Sequence, residues 1–122
     1  MMAGSHERDV RGERLSALIQ EKIGSMIVLG KIKDPRVDSF LSVTRVEASS
    51  DLSFADVYVS SWKTEQGLLT GVAGLRSAAP FIQRELAKTL KTRQTPRLRF
   101  HADTGMKAGF EMIQKIDAMA RS

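Results

Sequence analysis

The chain has no cysteine. That excludes disulfides, thiolate metal sites and cysteine nucleophiles together, and it suits a reducing cytoplasm. Histidine is nearly as scarce: His6 and His101 lie far apart, and no His-x-x-x-His, Gly-x-Ser-x-Gly or Walker loop occurs. The short signatures of zinc hydrolases, serine hydrolases and phosphate-binding enzymes are therefore missing, and no enzyme, cofactor, metal or small-molecule substrate is expected. No apolar run approaches the ~18 residues of a membrane span. The first nine residues lack the apolar middle of a signal peptide. Aromatic residues are few, with one Trp, one Tyr and five Phe. One stretch is also short of negative charge. From Arg84 to Arg99 the charged residues are Arg84, Lys88, Lys91, Arg93, Arg97 and Arg99, against Glu85 alone. This segment holds the whole +5 excess of the 122-residue chain and leaves the remainder balanced. Concentrated positive charge points to a polyanion, and nucleic acid is the commonest one in a cell.

The length suits one domain, here residues 8–120, preceded by a frayed, disordered tail over 1–7. A hydrophobic fraction of 42% supports a core. Residues 8–29 read as a helix, with Leu15, Leu18, Ile19, Ile23, Met26 and Ile27 on one stripe and Gly30 as its stop. Asp34-Pro35-Arg36 reads as a turn. Two strands follow. Over 41–46, Leu41 and Val43 face one way, and Ser42 and Thr44 the other. Over 55–61, Val57 and Val59 oppose Asp56, Tyr58 and Ser60. Ala48-Ser49-Ser50-Asp51 between them is turn chemistry, which implies a hairpin. Residues 65–77 form a glycine-rich helix. Pro80 must then kink or restart it, because proline cannot donate to the carbonyl of Arg76. Residues 81–91 form a second helical run, with Ile82, Leu86 and Leu90 on one side and Arg84, Lys88 and Lys91 on the other. A third strand carries Leu98, Phe100 and Ala102 inward and Arg97, Arg99 and His101 outward. A last helix is expected over 106–120. The order is α-β-β-α-kink-α-β-α, an α+β fold with helices covering one face of a three-stranded sheet.

Arg84, Lys88, Lys91, Arg93, Arg97 and Arg99 are the first candidates for phosphate contact, each able to release a counterion. The plain alternative is a solvated helix face, but such faces usually mix signs. Lys33, Arg36 and Arg45 are second-rank candidates. Arg36 or Arg45 could instead pair with Asp34 or Glu47 and only hold the loop. Tyr58 and Trp62 share parity and could offer rings for base stacking. The simpler expectation is that Tyr58 caps an edge and Trp62 packs under the next helix. Gly71-Val72-Ala73-Gly74 formally matches the GXXG loop of K-homology (KH) domains, but its apolar middle suits helix–helix close packing better. The junction of the two helices is then Ser77, Ala78 and Pro80.

Four stretches resemble the bacterial ribosome-binding factor A family: Ile32-Lys33-Asp34-Pro35-Arg36-Val37, Leu41-Ser42-Val43-Thr44-Arg45-Val46-Glu47, Ala55-Asp56-Val57-Tyr58-Val59-Ser60, and Leu75-x-Ser77-Ala78-x-x-Phe81-Ile82-x-Arg84-Glu85-Leu86-x-Lys88-x-Leu90-x-x-Arg93-x-x-Pro96-x-Leu98-x-Phe100. The resemblance implies a type II KH-like domain, a cytoplasmic location, and binding to the small ribosomal subunit during maturation of 16S ribosomal RNA; a monomer is expected. It also implies that a kinked helix pair marked Ala-x-Gly replaces the GXXG clamp. The alanine corresponds to Ala78, and Pro80 stands where the family has glycine. A different class of function also accommodates a basic face: a protein-interaction module docking on an acidic protein partner.

Overall fold

The apolar stripe of the first segment folds as α1 (Met2–Val28), in a computed structural model that describes residues 2–90 and 94–103 and the side chains from residue 10 on. The helix starts at Met2, ahead of the expected start at residue 8 and through the stretch set apart as a tail. Leu15, Ile19, Ile23, Met26 and Ile27 are buried, whereas Leu18, expected on the same stripe, is 42% exposed. Leu18 lies about 100° round the helix from Ile19, off the centre of the buried face. Gly30 ends the helix with φ +66, a value that favours glycine. Gly30 N–H donates to Ile27 O (3.1 Å) and Lys31 N–H to Met26 O (2.9 Å), the paired bonds of a Schellman stop.

Strands β1 (Leu41–Ala48), β2 (Phe54–Ser61) and β3 (Arg97–Ala102) form one sheet in that order. β1 and β2 pair antiparallel, and β2 and β3 parallel. β2 therefore lies at the centre, so Tyr58 caps no edge. Ala55, Val57 and Val59 of β2, with Leu98 and Phe100 of β3, are buried on one face, as alternation predicts. β1 departs from strict alternation. Val43 pairs with Val59 and Arg45 with Tyr58, so Thr44 is the extra residue of a β-bulge. The slip brings Val46, rather than Arg45, to the buried side. Gln20 of α1 donates from Nε2 toward the carbonyls of Val43 (3.3 Å) and Thr44 (3.4 Å) at the bulge.

Helices α2 (Glu65–Ser77) and α3 (Ala79–Leu90) complete the described chain. Thr64 caps α2 by accepting the Gly67 N–H at 2.9 Å. α1 packs on β1, α2 on β2 and β3, and α3 on β3 and α1. One core joins Ile19, Ile23, Val57, Leu75, Ile82, Leu86 and Phe100. The α-β-β-α-α-β order over a mixed sheet is that of the expected type II KH-like fold. The last helix, expected over 106–120, lies outside the described residues.

Candidate nucleic-acid interface

In α3 the apolar side chains Ile82 and Leu86 point into the core. Helical spacing then sends Arg84 and Lys88 directly outward, and both are exposed. Lys88 Nζ reaches Glu85 at 3.0 Å across one turn, yet its side chain is 76% exposed, so the pair is of the weak surface kind. Arg84 has no ion pair among the described residues. Lys91 and Arg93 lie outside the described residues.

At its N-terminal end, α3 meets α2 in a break centred on Ala78. Ala78 N–H still donates to Gly74 O (2.9 Å), and Ile82 N–H donates to Ala78 O (3.0 Å). Pro80 falls in the first turn of α3, where a missing N–H costs little. Ser77, Ala78 and Phe81 face Lys33, Asp34 and Pro35 across a groove of about 350 Å³. The far wall of the groove is built by local hydrogen bonds. Asp34 Oδ1 accepts Arg36 N–H (2.9 Å) and Arg36 Nε (3.0 Å), while Asp34 Oδ2 accepts Arg36 Nη2 (2.8 Å). Hydrogen bonds from the Arg36 side chain, then its backbone N–H, hold the Asp34 carboxyl down at about 2. Arg36 thus pairs with Asp34, as the alternative reading of the turn allowed, and its side chain remains partly open to solvent.

The Gly71-Val72-Ala73-Gly74 sequence lies wholly inside α2, so it forms no clamp loop. Close packing is its role, but the partner is a strand end and a loop rather than a helix. A Cβ on Gly71 would meet Leu41 Cδ1 at 2.6 Å. A Cβ on Gly74 would meet Arg36 Cβ and Val37 Cγ2 at 2.9 Å each. Gly74 is what lets the 34–37 turn lie against α2 beside the break.

The other candidates occupy the far side of the sheet. Arg97 and Arg99 point away from the core on β3, and Arg45 does so on β1. Arg99 donates to both oxygens of Asp56 (2.9 and 3.1 Å), and His101 Nε2 lies 2.7 Å from Asp56 Oδ1. Partial burial pushes the Asp56 carboxyl up, but the hydrogen bonds from His101 and Arg99 together outweigh it, leaving Asp56 lowered. Arg45 pairs with Glu47 at 2.9 Å and stacks 4.0 Å over the Tyr58 ring. Trp62, expected under the next helix, is instead 80% exposed.

Two structural side chains escaped the sequence reading. Gln83 donates from Nε2 to Pro96 O (2.6 Å) and Thr95 O (3.2 Å), and its Oε1 accepts Leu98 N–H (3.3 Å). Its carboxamide thus satisfies backbone groups on the β3 edge that no described strand pairs. Arg76 donates from Nε (3.0 Å) and Nη2 (2.8 Å) to Phe100 O farther along that edge. Both partnerships span more than ten residues, so no local pattern could signal them.

The sequence profile of ribosome-binding factor A matches residues 11–116. The chain belongs to the ribosome-binding factor A family. Family members in Treponema denticola and Dictyoglomus thermophilum are 46% and 43% identical to it. The matches cover 91% and 87% of this chain, and 84% and 88% of theirs. The solution structure of a Thermotoga maritima ribosome binding factor A protein is similar, with TM-score 0.67 and 35% identity over 79% of this chain and 90% of that one. A homology model of Thermus thermophilus ribosome binding factor A, as fitted into the cryo-EM map of a 30S–RbfA complex, is similar with TM-score 0.60 and 28% identity, covering 75% of this chain and 94% of that one. Within the ribosome-binding factor A pattern given above, Ala78 occupies the break itself, and the proline at 80 is accommodated by the first turn of α3.

Proposed function

We propose that this protein binds the small ribosomal subunit through 16S ribosomal RNA and assists late maturation of that RNA as a non-catalytic factor. The reading takes the chain as one cytoplasmic, monomeric KH-like domain over 8–120. The observation that carries it is the meeting of the α2–α3 break with the 33–36 turn in one groove, from which the exposed cations of α3 lead away. The family, one member of which has been fitted into a 30S complex, supplies the partner. Arg84 and Lys88 are assigned to phosphates along that side, with Lys33 at the groove and Arg36 on the turn behind it; Lys91 and Arg93, outside the described residues, are assigned to phosphates as well. Arg45, Arg97 and Arg99 are assigned to contacts from the opposite face. Phosphate contacts of this kind position a protein on folded RNA by shape and charge rather than by base sequence. No step in this role requires a reacting group, a metal or a cofactor.

The test is the double reversal Arg84→Glu/Lys88→Glu. Both side chains are exposed, so the variant keeps its thermal midpoint. Small-subunit binding weakens, and its dependence on log salt becomes shallower by roughly 0.7–0.9 per lost phosphate contact. Unchanged affinity at two salt concentrations refutes the assignment. Binding that weakens yet survives nuclease treatment of the subunit favours an acidic protein surface as the partner.

A further inference from the structure

The outer face of the sheet carries more than cations. Alternation along β2 puts Phe54, Tyr58 and, one residue past the strand, Trp62 on that side. Trp62 N–H donates to Phe40 O at 3.0 Å, so the β1–β2 pairing continues past the Leu41–Ser61 pair, and Phe40 falls on the same side. Three of these four rings are already covered by a cation. Arg99 lies 4.6 Å over Phe54, Arg45 lies 4.0 Å over Tyr58, and Lys63 lies 4.1 Å over Phe40. The fourth ring, Trp62, is 80% exposed. Among the described residues, α1, α2 and α3 all pack on the opposite face.

Charge on this face favours an anion. Of its acids, Glu47 and Asp56 are each engaged by an arginine, Arg45 and Arg99 respectively, and Asp103, just past β3 with the same parity, accepts a hydrogen bond from the Thr44 hydroxyl. Among the described residues, Arg97 and Lys63 have no ion pair. Lys63 adjoins the open ring, while Arg97, opposite Phe54 at the start of β2, lies at the far end of the sheet. A ring with cations spaced along its face suits an extended strand whose bases have free faces and whose phosphates recur along its length. In a duplex those base faces are hidden by stacking, so the occupant is unpaired RNA. We propose that the outer sheet face is a second RNA site, a platform on which Trp62 stacks a base of a single-stranded segment while Lys63 and Arg97 take phosphates. It rests on the RNA-binding reading above, but it uses the face opposite the basic side of α3.

Trp62 is the only tryptophan of the chain, so its fluorescence reports this site alone. The experiment titrates the full chain with a short oligouridine and with a short RNA duplex, following tryptophan emission and, separately, anisotropy of labelled RNA. Oligouridine is expected to quench the emission saturably, and the duplex much less. Trp62→Leu should keep the thermal midpoint and weaken oligouridine binding by roughly 5- to 160-fold, the range of one base–ring stack. Trp62→Phe should recover most of that loss, and Arg84→Glu/Lys88→Glu should leave the quenching in place. Oligouridine binding without quenching, and equal for Trp62→Leu, overturns the platform and leaves the RNA-binding reading standing. So does salt-sensitive subunit binding with no affinity for oligouridine. If Trp62→Leu impairs only a nuclease-resistant subunit contact, the face meets protein and the proposal fails. If the chain binds neither subunit nor RNA, both readings fail together.

Discussion

Replacing Gly74 by alanine sets two opposing effects against each other at the wall of the groove. In an exposed helix interior, Gly→Ala gains about 0.8–1 kcal/mol, because glycine carries the larger entropic cost. At Gly74 the new Cβ would lie 2.9 Å from Arg36 Cβ, 2.9 Å from Val37 Cγ2 and 3.2 Å from Asp34 Oδ1. Arg36 Cβ sits next to the backbone and cannot swing aside, so the turn itself must retreat. That turn is braced by Arg36 N–H to Asp34 Oδ1 (2.9 Å) and Val37 N–H to Asp34 O (3.0 Å). Overpacking of this kind costs about 1–3 kcal/mol. The net expectation for Gly74→Ala is a loss between zero and about 2 kcal/mol. Gly24 of α1 provides the control, since a Cβ there meets nothing within 4 Å. Gly24→Ala should gain up to about 1 kcal/mol. Urea denaturation of both variants at equal slope reads the difference. Small-subunit binding should also weaken for Gly74→Ala, because Lys33 and Arg36 ride on the displaced turn. If both alanine variants stabilise the protein equally, the turn yields freely and is no rigid wall.

Gln83→Leu removes the amide that pairs with the β3 edge, exposing Leu98 N–H and Pro96 O to loss of their partners, and should cost about 1–3 kcal/mol by chemical denaturation. A change below about 0.5 kcal/mol, normal for surface sites, means that water replaces the amide. Ile23 is fully buried, so Ile23→Ala should cost about 2–5 kcal/mol. A surface-sized loss would place Ile23 outside the core. Asp34 and Asp51 are both held at about 2, Asp34 first by the Arg36 side chain and Asp51 first by hydrogen bonds from Ser53 and then Ser49. A lowered carboxyl stabilises fully above its unfolded value, 3.8 here, and that stabilisation is lost as pH falls through the folded value of about 2. Thermal midpoints over this acid range should therefore fall more steeply for the wild type than for Asp34→Asn/Asp51→Asn. Parallel curves refute the assignment.

What was legible in the sequence was what repeats locally. The alternation of β2 and β3 and the stripe of Ile82 and Leu86 are each fixed by side-chain period, and each appears as expected. The ion pairs Asp34–Arg36 and Arg45–Glu47 could be anticipated as alternatives because their members are two residues apart. The Arg99–Asp56 bond, 43 residues apart, could not. The bulge at Thr44 left a trace, since apolar residues at 41 and 43 give way to Val46, but reading it required the partner strand. The GXXG-like sequence was ambiguous for a similar reason. Its letters suit a clamp or a close contact, and only the position of Leu41 and the 34–37 turn against α2 decides. Trp62 was misplaced because a lone ring after a strand usually finds cover, and here none of the described helices provides it.

The densest signal in the sequence, the basic run from Arg84 to Arg99, proves to be two surfaces. Helical phase turns Arg84 and Lys88 outward on α3, while strand phase turns Arg97 and Arg99 to the opposite side of the sheet. The core layer of Ile82, Leu86, Leu98 and Phe100 lies between them. A single phosphate backbone running along one face cannot engage both sets. If both carry affinity, the protein must be met by RNA from two sides, the helix side through backbone contacts near the break and the sheet side through an unpaired segment. Charge reversals on the two faces should then weaken subunit binding independently, with free-energy losses that add. Reversals on one contiguous RNA track should instead couple.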